Sequence, residues 1–347
     1  MSNKVLVVFG TRPEAIKLAP VIRKLPECVV LNTGQHQDIL DLLDIPVHYN
    51  LNCMDKYSSL SDKTGYLLLK IMEEAPKSIE MVIVQGDTVS ALSGALFAFY
   101  NNHKLVHVEA GLRTYDKNEP WPEETNRFMI DHMSDVLFAP TQHDVDDLLD
   151  EDINPSTIHL VGNTIVDSLL DIMEKYKIST SRKQHAIITL HRRENATVGR
   201  IGSIFRGLRH IIACYPDIEF IYPVHPSYTH AYNELAGYSN VKLINSLPYY
   251  EFIKLLASCK FIITDSGGIQ EEAAVLHKPV IVLRERTERF SLIENGGGIL
   301  AGTSYNEIVN AEKYMYDNYE KMCLAKNPFG EGDTSDKIVD VLKGLLY

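Results

Sequence analysis

The chain has 347 residues, with 34 Lys and Arg against 46 Asp and Glu, and a formal net charge of −12 at pH 7. That length accommodates two domains, and the acidic balance argues against a basic nucleic-acid surface. The longest apolar runs reach strand length only, too short for a membrane span. Five scattered cysteines, Cys28, Cys53, Cys214, Cys259 and Cys323, show neither zinc spacing nor a disulfide framework. Reduced thiols, and an N-terminus (Met1-Ser2-Asn3-Lys4) without a secretory pattern, give a cytoplasmic protein as the expectation.

Short β-like runs alternate with helical periodicity along the chain. Residues 5–9 predict a buried strand, followed by Gly10-Thr11-Arg12-Pro13 and a helix over 14–25. Pro13 suits the first helical position, where a missing N–H costs nothing. Further strands are predicted over 29–32, 81–84, 105–108, 136–139 and 158–161, with helices over 89–100 and 123–133 between them. Such βα alternation predicts a parallel sheet. The polar stretch 175–184, with its Ser179-Thr180-Ser181 cluster, reads as a linker. A second series follows, with strands over 186–190, 220–222, 241–244, 261–263 and 280–283, and residues 306–347 are helical by pattern. The expected domains are 1–174 and 185–332, with a C-terminal helix at 333–347 packing back on the first. Doubly wound domains bind ligands outside the carboxyl ends of their strands, so a cleft between the two is the expected site.

The run Thr264-Asp265-Ser266-Gly267-Gly268-Ile269-Gln270-Glu271-Glu272 follows an apolar strand and opens a helix. Two glycines let backbone approach a ligand closely, and a helix start offers unpaired N–H groups beside a partial positive charge. This pattern suits a phosphate. The two carboxylates one turn inside suit hydroxyls, as the acidic residue of a dinucleotide site does on a ribose. The expected ligand therefore carries a phosphate and a diol: a nucleotide or a nucleotide sugar. An acidic protein that binds such an anion must gather cations locally, and Arg12, Lys17, His191, Arg192, Arg193 and Arg289 are the candidates.

Other unusual polar residues also cluster just after strands: Gly10 to Glu14, Gln85-Gly86-Asp87-Thr88, Glu109 to Thr114, His191-Arg192-Arg193-Glu194 and His225. Trp121-Pro122-Glu123-Glu124-Thr125-Asn126-Arg127 opens a helix. Each alone has an ordinary explanation. Asp87 or Thr88 could cap a helix, and Glu123 with Arg127 could be a helical ion pair. Together, at the strand ends of both halves of one chain, they favour a functional reading.

These motifs resemble the non-hydrolysing UDP-N-acetylglucosamine 2-epimerases. The resemblance is carried by Phe9 to Lys17, Gly86-Asp87-Thr88, His107 to Thr114, Pro120 to Glu124, Gly162-Asn163-Thr164, His191 to Glu194, Pro223-Val224-His225 and Thr264 to Glu272, in consistent order over nearly the whole chain. It implies an α/β protein of two Rossmann-like domains facing a cleft, GT-B-like, of the UDP-glycosyltransferase and glycogen phosphorylase type. It implies a reversible inversion at C2 converting UDP-GlcNAc to UDP-ManNAc, through elimination of UDP to a 2-acetamidoglucal and re-addition. ManNAc-type precursors for surface polysaccharide would be the product. The implied partners are a UDP-sugar and a second copy of the chain as a homodimer, without nucleic acid, membrane, metal or cofactor.

Residue by residue, the resemblance makes Asp87, Glu109 and Glu123 the carboxylates of the chemistry, with Arg127 and His191 beside them. It implicates Arg12 and Lys17, then Ser266, Gly267 and Gly268, at the phosphates, Glu272 at the ribose and Arg289 near the diphosphate. Bacterial members bind an additional UDP-GlcNAc as activator, and Gln35, His36, Arg192 and His225 match part of that site. Asp38 stands where glutamine is usual there, and Tyr66 where arginine is usual. Two further departures are Thr287-Glu288-Arg289-Phe290-Ser291, where the family reads Pro-Glu after the arginine, and the glycine run Glu294-Asn295-Gly296-Gly297-Gly298, expected to be a flexible loop. A glycosyltransferase of the same architecture, or an epimerase of a related UDP-2-acetamido sugar, is the alternative.

Overall fold

The computed structural model describes residues 4–25, 27–34, 37–51, 59–225, 228 and 231–346, with backbone alone at 37, 38, 198, 231 and 232. The chain divides into two compact units, Met1–Ser168 with Gly330–Tyr347, and Leu169–Phe329.

The first unit holds strands β1 (Val5–Phe9), β2 (Val29–Asn32), β3 (Tyr49–Asn50), β4 (Met81–Gln85), β5 (Lys104–Val108), β6 (Val136–Ala139) and β7 (Ile158–Leu160). They form a parallel sheet in the order β3-β2-β1-β4-β5-β6-β7. Every residue of β1, β2, β4 and β6 is buried, which explains their unbroken apolar runs: parallel strands are covered on both faces. Leu6, Val8, Leu31, Val82 and Val84 pack with Ala91 and Ala95 of the helix Val89–Tyr100. Each large aliphatic side chain so buried contributes about 1.5–3 kcal/mol.

The second unit holds β8 (His185–Thr189), β9 (Glu219–Pro223), β10 (Val241–Ile244), β11 (Ile262–Thr264), β12 (Val280–Val282) and β13 (Gly298–Leu300). They too form a parallel sheet, in the order β10-β9-β8-β11-β12-β13. Its core joins Ile188, Phe220, Tyr222 and Ile263 to Ile204 and Leu208 of the helix Val198–Cys214, and to Ile308 and Met315 of the helix Tyr305–Cys323.

In each sheet the strand order reverses once at the centre, between β1 and β4 and between β8 and β11. At such a switch point the two following loops diverge to opposite faces and leave a crevice at the strand ends. The Gly10 and Gly86 loops flank the first point, and the His191 and Asp265 loops flank the second.

Residues 175–184 are built into the second unit. The helix Thr164–Lys175 carries the chain across the division. Ser181 and Lys183 then donate backbone N–H groups to the carbonyls of Ala257 and Ser258 at 2.9 and 2.8 Å, and Tyr176 stacks on Tyr250 with ring centroids 4.6 Å apart. The helical pattern over 306–347 resolves into Tyr305–Cys323 in the second unit and Thr334–Leu346 in the first. Lys24 anchors the latter, reaching Ser335 Oγ at 2.9 Å and Asp336 at 2.7 Å, while the Ser335 N–H donates to Asp167 at 2.8 Å.

The glycine run is a packed turn rather than an open loop. Gly297 and Gly298 are buried, and a Cβ on either would lie 3.0–3.1 Å from the Leu292 side chain. Gly298 then begins β13, pairing with Val280. The run gives close packing beneath an edge strand.

Candidate functional site

The polar loops at the strand ends fall into two half-sites, each at the switch point of its own unit. In the first, β1 runs into Gly10, where no side chain fits: a Cβ would lie 2.1 Å from both Ser90 Oγ and Thr33 Oγ1. Pro13 lies in the first turn of the helix Arg12–Lys24, and Glu14 reaches back over the start of that helix as half of a capping box. Glu14 Oε2 accepts the N–H groups of Gly10 and Thr11 at 3.1 and 2.7 Å, while Oε1 accepts the Thr88 hydroxyl at 2.7 Å. One carboxyl thus ties the loop after β1 to the loop after β4. Burial pushes Glu14 up to about 7, despite the hydrogen bonds from Thr88, Thr11 and Gly10 that oppose the shift.

Two of the expected carboxylates are held by cations. Asp87 pairs with Arg127 through Nη2, and through Nε at 3.1 Å. Arg127 also lies 3.2 Å from Glu124, and Asn126 donates to the Asp87 carbonyl at 2.8 Å. Glu109, at the end of β5, is buried against the Lys17 ammonium and accepts the Asn163 amide at 2.9 Å. Its φ of 71° lies in the left-handed region. Such a conformation costs a non-glycine residue about 1–3 kcal/mol and persists only when its surroundings fix it. Here the N–H groups of Glu109 and Ala110 both donate to the Phe138 carbonyl of β6, at 3.1 and 3.0 Å. Glu123 is half-buried at the start of the helix Glu123–Met133.

A buried layer supports these loops. His107 bridges Asp131 at 2.6 Å and the Gly86 carbonyl at 2.8 Å. Asp131 pairs with Arg113 at 2.8 Å and accepts the Gly111 N–H at 3.2 Å. Complete burial pushes Asp131 up, but His107 and Arg113 hold it net below its ordinary value. Glu124 accepts the N–H groups of Thr114 and Tyr115 at 2.9 and 2.8 Å, closing the turn after β5.

In the second half-site the helix Gly267–Val275 begins after Ser266, whose hydroxyl makes no capping hydrogen bond. The backbone donors of the first turn therefore lack that internal partner, as an anion site requires. A Cβ on Gly268 would meet no atom within 4 Å; on Gly267 it would lie 3.0–3.1 Å from Glu288 and Arg289. Arg289 is buried among carboxylates, 2.8 Å from Glu271 and hydrogen-bonded to Glu288. Glu288 also faces Arg284 at 2.7 Å and Arg192 at 3.6 Å. Glu272 accepts the Tyr249 hydroxyl at 2.8 Å.

Asp265, fully buried, spans the switch point of this unit. It accepts the N–H groups of His191 and Arg192 at 3.1 and 3.0 Å and the Asn195 amide at 3.1 Å, and lies 3.2 Å from His191 Nδ1. Burial pushes the carboxyl up, but the His191 ring and the backbone N–H groups hold it net below its ordinary value. His225 is exposed, its ring 6.2 Å from that of His191. Burial and the neighbouring His191 push His225 down, against the attraction of Asp265.

Within the first unit the structure brings together Lys17 with Glu109, and Asp87 with Arg127. Arg12 heads its helix, half-buried. Lys17, expected at the phosphates, is buried with Glu109 as the counter-charge that a buried ammonium needs. Within the second unit, Ser266, Gly267, Gly268 and Arg289 share one helix start, with His191 and Arg192 bound to the same switch point. Gln35, His36 and the side chain of Asp38 lie outside the described residues. Glu14, Asn163 and Asp265 stand in the quoted motifs without an assigned role, and Glu124, Asp131 and Glu288 are likewise unassigned, while Glu271, read with Glu272 as suited to hydroxyls, is paired with Arg289. Their signal, a carboxylate or amide at a strand end or helix start, does not say which partner it meets.

A family model described as UDP-N-acetylglucosamine 2-epimerase matches residues 22–343. The chain is 40% identical over 378 residues to a UDP-N-acetylglucosamine 2-epimerase of Campylobacter jejuni, covering 99% of this chain and 98% of that protein. It is 40% identical over 362 residues to that of Bacillus subtilis, covering 98% and 94%. Among solved structures, it is similar to the UDP-GlcNAc 2-epimerase of Neisseria meningitidis bound to UDP-GlcNAc, with TM-score 0.91, 36% identity and coverage of 98% and 100%. It is also similar to that of Methanocaldococcus jannaschii in complex with UDP-GlcNAc and UDP, with TM-score 0.86, 35% identity and coverage of 98% and 99%.

Proposed function

Because the chain belongs to the UDP-N-acetylglucosamine 2-epimerase family, we propose that it interconverts UDP-GlcNAc and UDP-ManNAc by inversion at C2. The observation that carries this reading is the pair of anchored carboxylates, Asp87 on Arg127 and Glu109 on Lys17, in a chain whose other half offers an open helix start to a diphosphate. A carboxylate of the set Asp87, Glu109 and Glu123 takes the C2 proton. The C1–O bond breaks, its electron pair leaves with UDP, and a C1–C2 double bond forms. Re-addition of UDP at C1 with protonation of C2 on the opposite face gives the epimer.

The C2 proton is weakly acidic, so the step needs a positioned base and a neutralised leaving group. The first-turn N–H groups after Ser266, with Arg12 and the cations around Arg289, serve the diphosphate, and Glu272 serves the ribose. Glu271 and Glu288 hold the Arg289 guanidinium in one orientation, so its contribution to a phosphate comes from a fixed charge. His191, set by Asp265, stands at the same helix start. We expect a cytoplasmic protein whose working form is a homodimer, a mass that light scattering measures.

The test is proton NMR of purified protein with UDP-GlcNAc in deuterated buffer. UDP-ManNAc should appear with deuterium at C2, without added nicotinamide. Epimer that retains the original C2 hydrogen would overturn the elimination route.

A further inference from the structure

We propose that His210, Cys214 and Glu312 form a binding site for a borderline-soft divalent cation of the zinc class, made of residues that have no assigned part in the epimerase reaction. His210 and Cys214 stand four apart on the helix Val198–Cys214 and share a face. Glu312 comes from the helix Tyr305–Cys323, which packs on it through Ile308 and Met315. One ligand atom from each of the three residues lies within 4.8 Å of the other two. His210 Nε2 is 3.6 Å from Cys214 Sγ. A tetrahedral zinc ion with nitrogen at about 2.1 Å and sulfur at about 2.3 Å sets those donors about 3.6 Å apart.

The surroundings match what a metal site needs beyond its ligands. Tyr215 donates its hydroxyl to Glu312 Oε1 at 2.7 Å, which orients the carboxylate and leaves Oε2 to coordinate. Tyr305 faces the other nitrogen of His210 at 3.5 Å, and Arg206 lies over the Tyr305 ring at 5.2 Å. Cys214 is exposed, so a cation can enter from solvent. Thiolate, carboxylate and neutral imidazole carry two negative charges, which a divalent ion cancels. The thiol proton passes to buffer on binding. Three protein ligands leave a fourth position for water, and the ion would tie the end of one helix to the middle of the other. The linear sequence hides the site because its ligands sit on two helices about a hundred residues apart.

The test uses the full chain, free of any affinity tag, with a non-coordinating phosphine reductant. Zinc is titrated against a chromophoric chelator, and cobalt(II) is titrated in parallel by absorption. Wild type should bind one cobalt with a sulfur-to-cobalt charge-transfer band and the strong visible bands of four-coordination. Zinc should raise Tm. Cys214→Ser, His210→Ala and Glu312→Gln should each weaken zinc binding by about 10-fold or more and abolish the Tm rise. UDP affinity should stay unchanged in all three. Equal zinc affinity in wild type and the triple variant overturns the proposal. So does binding that depends on Cys214 alone, which would mark a lone thiol.

Discussion

Lys17 and Glu109 form a buried ion pair that locks the second turn of the helix Arg12–Lys24 to the end of β5. Neither partner can be removed alone without leaving a charge in an apolar interior, a loss that runs to about 3–5 kcal/mol. Lys17→Met should therefore lower stability by that order and reduce turnover, because Glu109 loses the contact that fixes it. Lys17→Met combined with Glu109→Gln should recover stability yet remain inactive. Urea unfolding and turnover of the three variants check this; a double variant no more stable than Lys17→Met would refute the pairing argument.

The division of labour between the half-sites gives a second expectation. Asp87→Asn, Glu109→Gln and Glu123→Gln should each lower turnover by about 100-fold or more, the usual scale for a positioned acid or base, while UDP binds as before. Arg12→Ala and Glu272→Ala should weaken UDP instead. Calorimetry with UDP separates the classes, and uniform loss of UDP affinity across all five variants would defeat the assignment.

Gly267 and Gly268 are adjacent but not equivalent. A methyl group at Gly268 meets no protein atom within 4 Å, whereas at Gly267 it presses on Glu288 and Arg289 at 3.0–3.1 Å. Gly268→Ala should keep Tm and lose UDP affinity, since only a ligand needs that space. Gly267→Ala should lower Tm as well. Thermal melts with and without UDP decide it; unchanged UDP affinity in Gly268→Ala would remove the helix start from the phosphate site.

The strands were legible because parallel strands buried on both faces must be continuous apolar runs: those predicted over 5–9, 29–32 and 136–139 match β1, β2 and β6 residue for residue, and the edge strand β10 matches 241–244 although Lys242 is exposed. The helices Val89–Tyr100 and Glu123–Met133 also match. β3 has only two residues and β13 opens on a glycine, so neither carries such a run. Residues 175–184 look like a linker because they are polar, but Ser181 and Lys183 donate their N–H groups to the last carbonyls of the helix Tyr249–Ser258, which composition does not reveal. At the site, residue types named the chemistry, and pairings did not follow from them. Lys17 is equally good at a phosphate or a carboxylate by type, and only the fold shows that Glu109 is beside it.

Regulation offers a fourth expectation. Asp38 and Tyr66 replace an amide and a cation that resemble parts of an activator site for UDP-GlcNAc. Each unfavourable charge change at a partly buried anion site costs about 1 kcal/mol, or several-fold in affinity. Activation should be weak, with near-hyperbolic kinetics, and UDP-ManNAc should react without priming. If UDP-ManNAc reacts only after UDP-GlcNAc is added, the two substitutions are without effect. Asp38→Gln with Tyr66→Arg should strengthen the dependence.

The last expectation follows from Glu14, which joins the two loops of the first switch point. Its folded carboxyl is pushed up to about 7, from an ordinary 4.5, because burial outweighs its hydrogen bonds. A raised acid binds its proton more tightly folded than unfolded, so its contribution is full below about pH 4.5 and is lost as pH rises through about 7. The size is about 3 kcal/mol over that window. Other groups titrate in the same range, so the measurable quantity is the difference between wild type and Glu14→Gln. The glutamine can reproduce the protonated geometry: its carbonyl oxygen accepts the N–H groups of Gly10 and Thr11, and its amide donates to Thr88 Oγ1. Wild type should therefore approach or exceed the variant at pH 4.5 and fall progressively below it by pH 8. Urea unfolding at half-unit steps of pH measures this, and parallel curves for the two proteins would show that Glu14 is already ionised throughout the range.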